Sequence, residues 1–343
     1  MDADERQAAL ARQSGARLIE EALGYVVPAA LRAVTLCGIA DHLGEGPRTA
    51  EELALASGTD AGNLHRMLRL LATRGLFSED EEGRFRLTET GYALRSDVPG
   101  SVRGAVLMNT DPAFWLPLGQ LERCLRDGTS AFEGIFGRPF FEHFAQDPQT
   151  AAVFHDGMAA KSAVEDQPIA EASDLPDRGT VVDIGGGHGG YLAEALRLAP
   201  GLTGVLYDEA HVLDGHVLAD DARIAGRWRT AEGDFFAEVP AGDVLVLKRI
   251  LHDWRDDQCV TVLRACRRAL SDGGRVLVID AVIEPGDKPH PAKVLDLLMM
   301  ASLEGRERTE EEFRALFAQA GLRLRRVLPT GTALSVVEAV AAR

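Results

Sequence analysis

Val181-Val182-Asp183-Ile184-Gly185-Gly186-Gly187-His188-Gly189-Gly190 decides the fold. Its apolar run ends in an Asp and then in five glycines within six residues, which marks a buried parallel strand entering a tight turn, with a helix starting near Gly190. Glycines belong where the backbone takes positive φ or a ligand comes close, and the N–H groups of the next helix then face that ligand. Two templates fit. Gly185, Gly187 and Gly190 satisfy G-x-G-x-x-G, a dinucleotide pattern that so dense a glycine run meets almost automatically. Asp183, Gly185, Gly187 and Gly189 satisfy D-x-G-x-G-x-G, in which a carboxylate at the strand end suits an ammonium better than a pyrophosphate.

Downstream of Asp174-Leu175-Pro176 the pattern alternates strand with helix, the signature of a parallel sheet covered on both faces. Five strands are expected at Thr180 to Ile184, Thr203 to Tyr207, Trp228 to Glu232, Asp243 to Leu247 and Arg275 to Asp280. Two more, Leu322 to Leu328 and Leu334 to Val340, flank Pro329-Thr330-Gly331-Thr332, an ending that suits a hairpin carrying one antiparallel strand. In such sheets ligands bind beyond the carboxyl ends of the strands, where Asp183, Asp208, Asp234, Lys248 and Asp280 all fall. Asp208 ends the second strand, 18 residues past Gly190, where a carboxylate accepts both hydroxyls of a ribose. Asp234, in Gly233-Asp234-Phe235-Phe236, suits an adenine amino group with Phe235 packed on the ring, and Lys248 suits a carboxylate.

Upstream, apolar residues recur at helical spacing from Leu18 to Leu43, a face broader than one domain needs, so part of it is expected to meet a partner subunit. Thr49 and Glu52 make a capping box, Asn63 to Thr73 a second helix, and Arg84 to Leu87 a strand after the polar turn at Glu79 to Gly83. Together these form a winged helix. Its face-value role is DNA binding through His65, Arg66 and Arg69, but an acidic wing would meet phosphate, so dimerisation is the favoured reading. The stretch from about Ser101 to Gln167 is helical and rich in Met, Phe and Trp, including Trp115 and Met158, residues that serve either a core or a flat aromatic ligand.

Composition closes off other classes. With 46% hydrophobic and 26% charged residues the 343-residue chain is an ordinary globular protein, long enough for two domains. A formal net charge of −16 disfavours nucleic acid as a partner. No leader-like segment and no apolar run of about 18 residues is visible, so a cytoplasmic protein without a membrane partner is expected. The four cysteines are scattered and expected in the core, and the nine histidines show no metal-binding spacing, so no metal is expected.

His252-Asp253-Trp254, with Gly233-Asp234-Phe235-Phe236 before it and Gly305-Arg306-Glu307-Arg308-Thr309 after it, makes the chain resemble the S-adenosylmethionine-dependent O-methyltransferases of plant phenolics and bacterial aromatic polyketides. The D-x-G-x-G-x-G pattern is theirs too. The resemblance covers nearly the whole chain. It implies an α/β fold, a Rossmann-like seven-stranded class I methyltransferase domain over 171–343. A mainly α-helical winged-helix dimerisation domain over 1–100 and a helical substrate-binding connector over 101–170 precede it. It implies S-adenosyl-L-methionine as cofactor, S-adenosyl-L-homocysteine as product, a homodimer, and a small aromatic substrate from antibiotic biosynthesis or similar secondary metabolism.

By the same resemblance His252 is the general base, flanked by Asp280 and Glu307. Asp183, Gly185, Gly187, Gly189, Asp208, Gly233, Asp234, Phe235 and Lys248 hold the cofactor, and Trp115, His155, Met158, Asp296, Met299 and Met300 line the substrate site. Many relatives have Glu where Asp280 stands, and Asp208-Glu209-Ala210 replaces the usual Asp-Leu-Pro. Some members of the bacterial branch use the cofactor for decarboxylation, hydroxylation or pericyclic steps, and retention of all three site residues favours methyl transfer. A DNA-binding regulator is the remaining alternative. The chemistry needs an oxygen held in line with a sulfonium methyl, and a base. An imidazole at ~6.5 falls about 3.5 units short of a phenol at ~10, roughly 5 kcal/mol, a gap that the neighbouring sulfonium, a more acidic polyketide hydroxyl or a carboxylate on the other ring nitrogen would narrow.

Overall fold

The computed structural model describes residues 3–342. The chain divides into two compact units, one running to Asp111 and including Asp156–Ala160, the other holding Pro112–His155 and everything from Lys161 on. The stretch 101–170 is shared between them.

In the first unit, the helical spacing from Leu18 to Leu43 is carried by three helices, α1 (Ala3–Ala22), α2 (Val26–Leu36) and α3 (Ile39–His42). The chain turns after Leu23, and Gly38 at φ 64° breaks the pattern again. Strand β1 (Arg48–Thr49) leads to α4 (Ala50–Ser57), started by the Thr49–Glu52 capping box, and α5 (Ala61–Ala72) is capped by Asp60, two residues earlier than expected. β2 (Phe77–Glu79) and β3 (Arg84–Leu87) form the wing, whose turn is closed by Asp80 accepting from the amides of Glu82 and Arg84. The strands pair antiparallel in the order β1-β3-β2. Leu53, Leu64, Leu68, Leu71, Phe77 and Phe85 are the core. On the wing, Glu79 stands 3.5 Å from His65, so the acidic wing lies against one of the residues that a DNA-reading helix would use. Leu18, Ile19 and Leu23 are exposed in the single chain. Helices α6 (Glu89–Tyr92) and α7 (Arg103–Asn109) complete this unit.

The second unit opens with four short helices, α8 (Pro112–Leu118), α9 (Leu121–Asp127), α10 (Phe132–Phe136) and α11 (Phe140–Gln146), followed by the long α12 (Pro148–Ala172). Their aromatic residues mostly pack on one another. Phe114, Phe132, Phe140 and Phe144 are buried with ring centroids 4.6 to 5.7 Å apart, so for these four the core reading holds. Phe141 is the exception. It stays exposed and stacks on Trp254 at 5.6 Å.

Seven strands then form one sheet in the order β6-β5-β4-β7-β8-β10-β9. They are β4 (Arg178–Ile184), β5 (Gly201–Asp208), β6 (Trp228–Glu232), β7 (Gly242–Lys248), β8 (Leu270–Asp280), β9 (Leu322–Pro329) and β10 (Ser335–Ala341). β10 inserts antiparallel between β8 and β9, as the C-terminal hairpin requires. Both faces of the sheet are buried, so successive residues serve opposite layers. Val182, Leu245 and Val276 face α15 (Asp256–Ala269) and α17 (Glu310–Gln319), whereas Val181, Val244 and Leu277 face α12 and α13 (Gly190–Leu198). Two further helices, α14 (Ala210–Leu213) and α16 (Pro291–Ser302), lie in the connections. Cys124, Cys259 and Cys266 are buried, but Cys37 is exposed, against the expectation that all four serve the core. The strand order reverses at β4, which opens a crevice at the carboxyl ends of β4 and β7. Among the described residues no helix is long and apolar enough to cross a membrane, and no group of three or more His, Cys, Asp or Glu could hold a metal.

Candidate active site

The glycine turn sits in that crevice. Gly185, Gly187 and Gly189 have φ of 64°, 57° and 79°, a region that a side chain strains. A Cβ on Gly185 would stand 2.5 Å from Ile250, and one on Gly186 would stand 2.6 Å from both Asp183 and Leu206. Beneath the turn Asp183 is buried, and neither carboxylate oxygen has a hydrogen-bond partner among the described residues. Burial pushes its pKa up to about 7, against the pull of Lys248 and with the help of Asp166 and Asp208. A buried acid without a partner calls for a donor from outside the chain.

Asp208 accepts from the amide of Gly187 through one oxygen and from that of Glu209 through the other, both at 2.8 Å, so it holds the turn from the end of β5. Asp234 is exposed and accepts from the Phe236 amide at 2.8 Å. Gly233 donates its amide to the Asp208 carbonyl, and Phe235 lies against Gly185. The structure thus gathers the proposed cofactor residues around one turn. Lys248 belongs to the group but is already engaged, donating to Asp166 and, at 2.9 Å, to Ser162. Burial raises the pKa of Asp166, and Lys248 opposes the rise.

Beyond Lys248 the chain reverses at Arg249, a non-glycine residue at φ 56°, whose amide donates to the carbonyl of Ile279 on β8. The reversal delivers the turn Leu251–Asp253, which carries His252. Gly305 explains how Glu307 reaches it. A Cβ at that position would collide with the backbone of His252 and Asp253, so the two segments touch main chain to main chain. Arg308, 1% exposed, then ties the turn down by donating to the carbonyls of Leu251 and Trp254 and to Asp256. Thr309 and Glu312 cap α17 directly after.

His252 is 7% exposed, and its Nδ1 lies 2.9 Å from Glu307 Oε1. An ionised carboxylate only accepts, so Nδ1 carries the proton and Nε2 presents the lone pair. Asp253 Oδ1 stands 3.4 Å from Nε2. Asp280 is fully buried at the end of β8 and makes no hydrogen bond to the ring; both of its oxygens lack partners among the described residues. Burial alone would depress the imidazole, but Asp253, Glu307 and Asp280 outweigh it and push its pKa up to about 9. Burial in turn raises Asp253 and Asp280 above the usual carboxylate range.

Of the expected substrate residues, Asp296 on α16 does not face outward alone: its Oδ1 accepts from the Glu307 amide at 3.0 Å, which makes it a support of the His252 partner. Met299 is buried and Met300 half-buried on the same helix, which packs on α8, the carrier of half-buried Trp115. His155 is exposed with its ring 5.9 Å from that of His188 in the glycine turn, and Met158 packs in the first unit. Sequence reasoning missed Lys161, Ser162, Glu165, Asp166, Arg249 and Asp253. Four of these repeat at helical spacing on α12, a signal visible in the sequence; the left-handed backbone of Arg249 leaves none.

A family model described as an O-methyltransferase domain matches residues 118–323, and one described as an O-methyltransferase dimerisation domain matches residues 19–97. The chain is 39% identical to the phenazine O-methyltransferase of Lysobacter antibioticus, over 94% of this chain and 95% of the relative. Among solved structures, a methyltransferase of calicheamicin biosynthesis in its S-adenosyl-homocysteine-bound form is 48% identical, with all of both chains covered and a TM-score of 0.89. An O-methyltransferase of neocarzinostatin biosynthesis, solved with S-adenosylmethionine and 2-hydroxy-5-methyl naphthoic acid, is 36% identical, covers 92% of this chain and 95% of its own, and has a TM-score of 0.76.

Proposed function

This chain belongs to the S-adenosylmethionine-dependent O-methyltransferase family, and from that premise we propose that it methylates a hydroxyl of an aromatic natural product, with His252 as general base. The observation that carries the reading is the His252–Glu307 bond at 2.9 Å, which fixes the tautomer and leaves Nε2 as the basic atom. At about 9, the imidazole is only about one unit below a phenol at ~10, a cost of ~1.4 kcal/mol for full proton transfer in place of ~5. Related enzymes support the acceptor class, since the neocarzinostatin relative holds a hydroxylated aromatic acid.

The cradle fits the cofactor. Asp183 is a buried acid without a donor, the three positive-φ glycines leave the turn open, and Asp208 and Asp234 stand at the ends of β5 and β6. These residues with Gly233, Phe235 and Lys248 would hold it. When bound, S-adenosylmethionine supplies an electrophilic methyl on a sulfonium and is released as S-adenosylhomocysteine. His252 Nε2 takes the hydroxyl proton, Glu307 stabilises the imidazolium through Nδ1–H, and Asp253 and Asp280 add negative field. Arg308 and Gly305 keep the ring in place by fixing the backbone on either side of it. Asp296 steadies the Glu307 backbone. Trp115, Met299 and Met300 supply apolar wall for a flat ring.

The first unit we assign to homodimerisation, supported by the dimerisation-domain match and by exposed Leu18, Ile19 and Leu23. Mass spectrometry of a panel of hydroxylated aromatics incubated with enzyme and S-adenosylmethionine tests the whole reading. Methylated product must appear in step with S-adenosylhomocysteine. Conversion of an acceptor without cofactor consumption would instead assign the chain to another reaction.

A further inference from the structure

The turn that carries His252 is gripped from two layers. Arg308 donates to its carbonyls and to Asp256 at the start of α15, on one face of the sheet. On the other face lies α12, and there the grip comes from Arg249. Residues along a strand alternate between its two sides, so Lys248 follows Val244 and Val246 toward α12 and α13, and Arg249 should point to the opposite layer. It does not. Its backbone takes φ 56°, a region that a side chain avoids, and the reversal turns Arg249 back to the helix that Lys248 already reaches. Consecutive residues of the chain thus bind adjacent residues of α12. Lys248 binds Asp166, and Arg249 Nη2 donates to both oxygens of Glu165, at 3.0 and 2.7 Å.

A simple tether would not need this strain. Arg249 is 8% exposed, and its Nε has no partner among the described residues, which leaves Glu165 as its anchor on α12. What the strain secures is a distance. α12 also lies directly on the cofactor cradle, because a Cβ on Gly190, the first residue of α13, would collide with Asp166 and stand 3.6 Å from Ser162. One helix therefore touches the point where the glycine turn ends and also holds Arg249, three residues before His252. The Arg249 amide meanwhile donates to Ile279 on β8, so sheet, helix and base turn are tied together at one residue. Methyl transfer tolerates little slack here, since the reacting atoms must meet in line and a displacement of about 1 Å costs up to about 100-fold in rate.

We propose that Glu165 and Arg249 are positioning residues for the methyl transfer: their ion pair sets the base turn against the helix that touches the cofactor cradle, and so fixes where His252 Nε2 stands relative to the transferred methyl. The inference rests on the reading of His252 as the base. The pair acts through the backbone between Arg249 and His252 and takes no proton itself. Asp166 and Lys248 serve the cofactor side of the same helix, so breaking the Glu165–Arg249 pair should cost rate and spare cofactor affinity.

The test uses the full-length enzyme below its melting temperature. Glycine adopts φ 56° without strain, so Arg249→Gly removes the side chain and eases the backbone at once. Its single-turnover rate should fall by about 10- to 100-fold, with S-adenosylhomocysteine affinity within about 3-fold of wild type by calorimetry. Glu165→Ala should lose rate by a similar factor, and the double variant should be no slower than the slower single one, because the two residues act as a unit. Arg249→Lys, which keeps the charge, should recover most of the loss. A second readout needs no turnover. With S-adenosylhomocysteine bound, the His252 Nδ1–H held by Glu307 should give a low-field proton resonance, absent in His252→Ala, that broadens or disappears in Arg249→Gly. A wild-type rate or an undisturbed resonance in Arg249→Gly overturns the proposal. So do losses that multiply in the double variant, or a rate loss matched by an equal loss of cofactor affinity, which would mark general loosening. Where a single variant melts below the assay temperature, the double variant, which leaves neither charge unpaired, decides. Absence of methylated product from the wild type would fault the functional reading, and the resonance would still decide whether the pair positions His252.

Discussion

Glu307→Gln separates the two things that the buried carboxylate does for His252. Glutamine keeps a carbonyl oxygen in reach of Nδ1–H but removes the charge 2.9 Å away. Two charges about 4 Å apart interact by ~4 kcal/mol at an effective dielectric of 20, so the imidazole should fall by roughly two to three pH units, from about 9 toward its ordinary ~6.5. At pH 7 that change raises the neutral, competent fraction from ~1% to ~75%, while the weaker base loses ~20- to 300-fold in intrinsic rate, depending on how complete proton transfer is in the transition state. The two effects nearly offset each other. The variant should therefore turn over within about 5-fold of wild type at pH 7, yet lag by about 10- to 200-fold at pH 9.5, where wild-type His252 is also mostly neutral. The assay is the single-turnover rate from pH 6 to 9.5, with saturating cofactor and an acceptor whose own hydroxyl ionises above that range. A wild-type rate that climbs to pH 9 and a variant that levels off near pH 7 is the expected pair. If both profiles rise at the same pH and differ by one constant factor, Glu307 does not set the basicity of His252 and the electrostatic argument fails.

Removal of the base itself is blunter: His252→Ala should lose about 10²- to 10⁴-fold in rate with S-adenosylhomocysteine affinity nearly unchanged by calorimetry, and wild-type turnover at neutral pH would reduce His252 to a wall of the pocket. Asp208→Ala frees the Gly187 amide and removes an acceptor from the end of β5, so cofactor affinity should drop by about 10- to 100-fold; an unchanged value would take Asp208 out of the site. Sedimentation should show a dimer with no retention of mixed duplex DNA at low salt, whereas salt-sensitive retention would revive a regulatory role for the winged helix. Asp280→Asn removes a buried acid whose pKa is raised, so its melting temperature relative to wild type should improve as pH goes from 5 to 7.5; a constant difference would show that Asp280 is not protonated preferentially in the folded chain.

The centre of the sheet was legible because strands such as β4 and β7, buried on both faces, must be apolar through their buried run, and each of the seven strands falls within a few residues of its expected span, the largest gain being at the start of β8. The glycine turn was legible for a different reason, that few other residues satisfy the close approaches there, and Gly185 has little room for a Cβ. The His252–Glu307 pair was legible only through the family resemblance, and Gly305, with no room for a Cβ, is the reason the two segments meet. What escaped was set by tertiary contact. Nothing in Leu18 to Leu43 distinguishes a continuous helix from three helices separated by short turns at Gly24 and Gly38, since the apolar spacing continues across both. Phe140 and Phe141 are identical in type, yet one enters a cluster of aromatic rings and the other stacks on Trp254. Lys248 had the look of a free cation for a ligand carboxylate, and only the fold shows Asp166 already against it. Asp280 ends its strand where expected, but the ring of His252 hydrogen-bonds to Glu307 instead.

The site places its chemistry where the fold is least comfortable. His252 has a folded pKa near 9, above the ~6.5 of an unfolded chain, so the stability it contributes is complete below about 6.5 and is lost as pH rises through 9. Asp253 and Asp280 are raised as well, by burial. An unfolded chain releases those protons near ~3.9, so the folded state binds more protons than the unfolded one and stability again falls as pH rises through the raised values. All three groups weaken the fold in the same direction, and it is the direction in which Nε2 becomes free to take a proton. The strain is confined by the surroundings: Arg308 fixes both carbonyls of the turn, Gly305 lets the backbones touch, and the core of β7 and β8 lies directly beneath. A base strong enough to approach a phenol requires unscreened carboxylates around it, and carboxylates left unscreened in a buried site are what a stable interior would otherwise avoid.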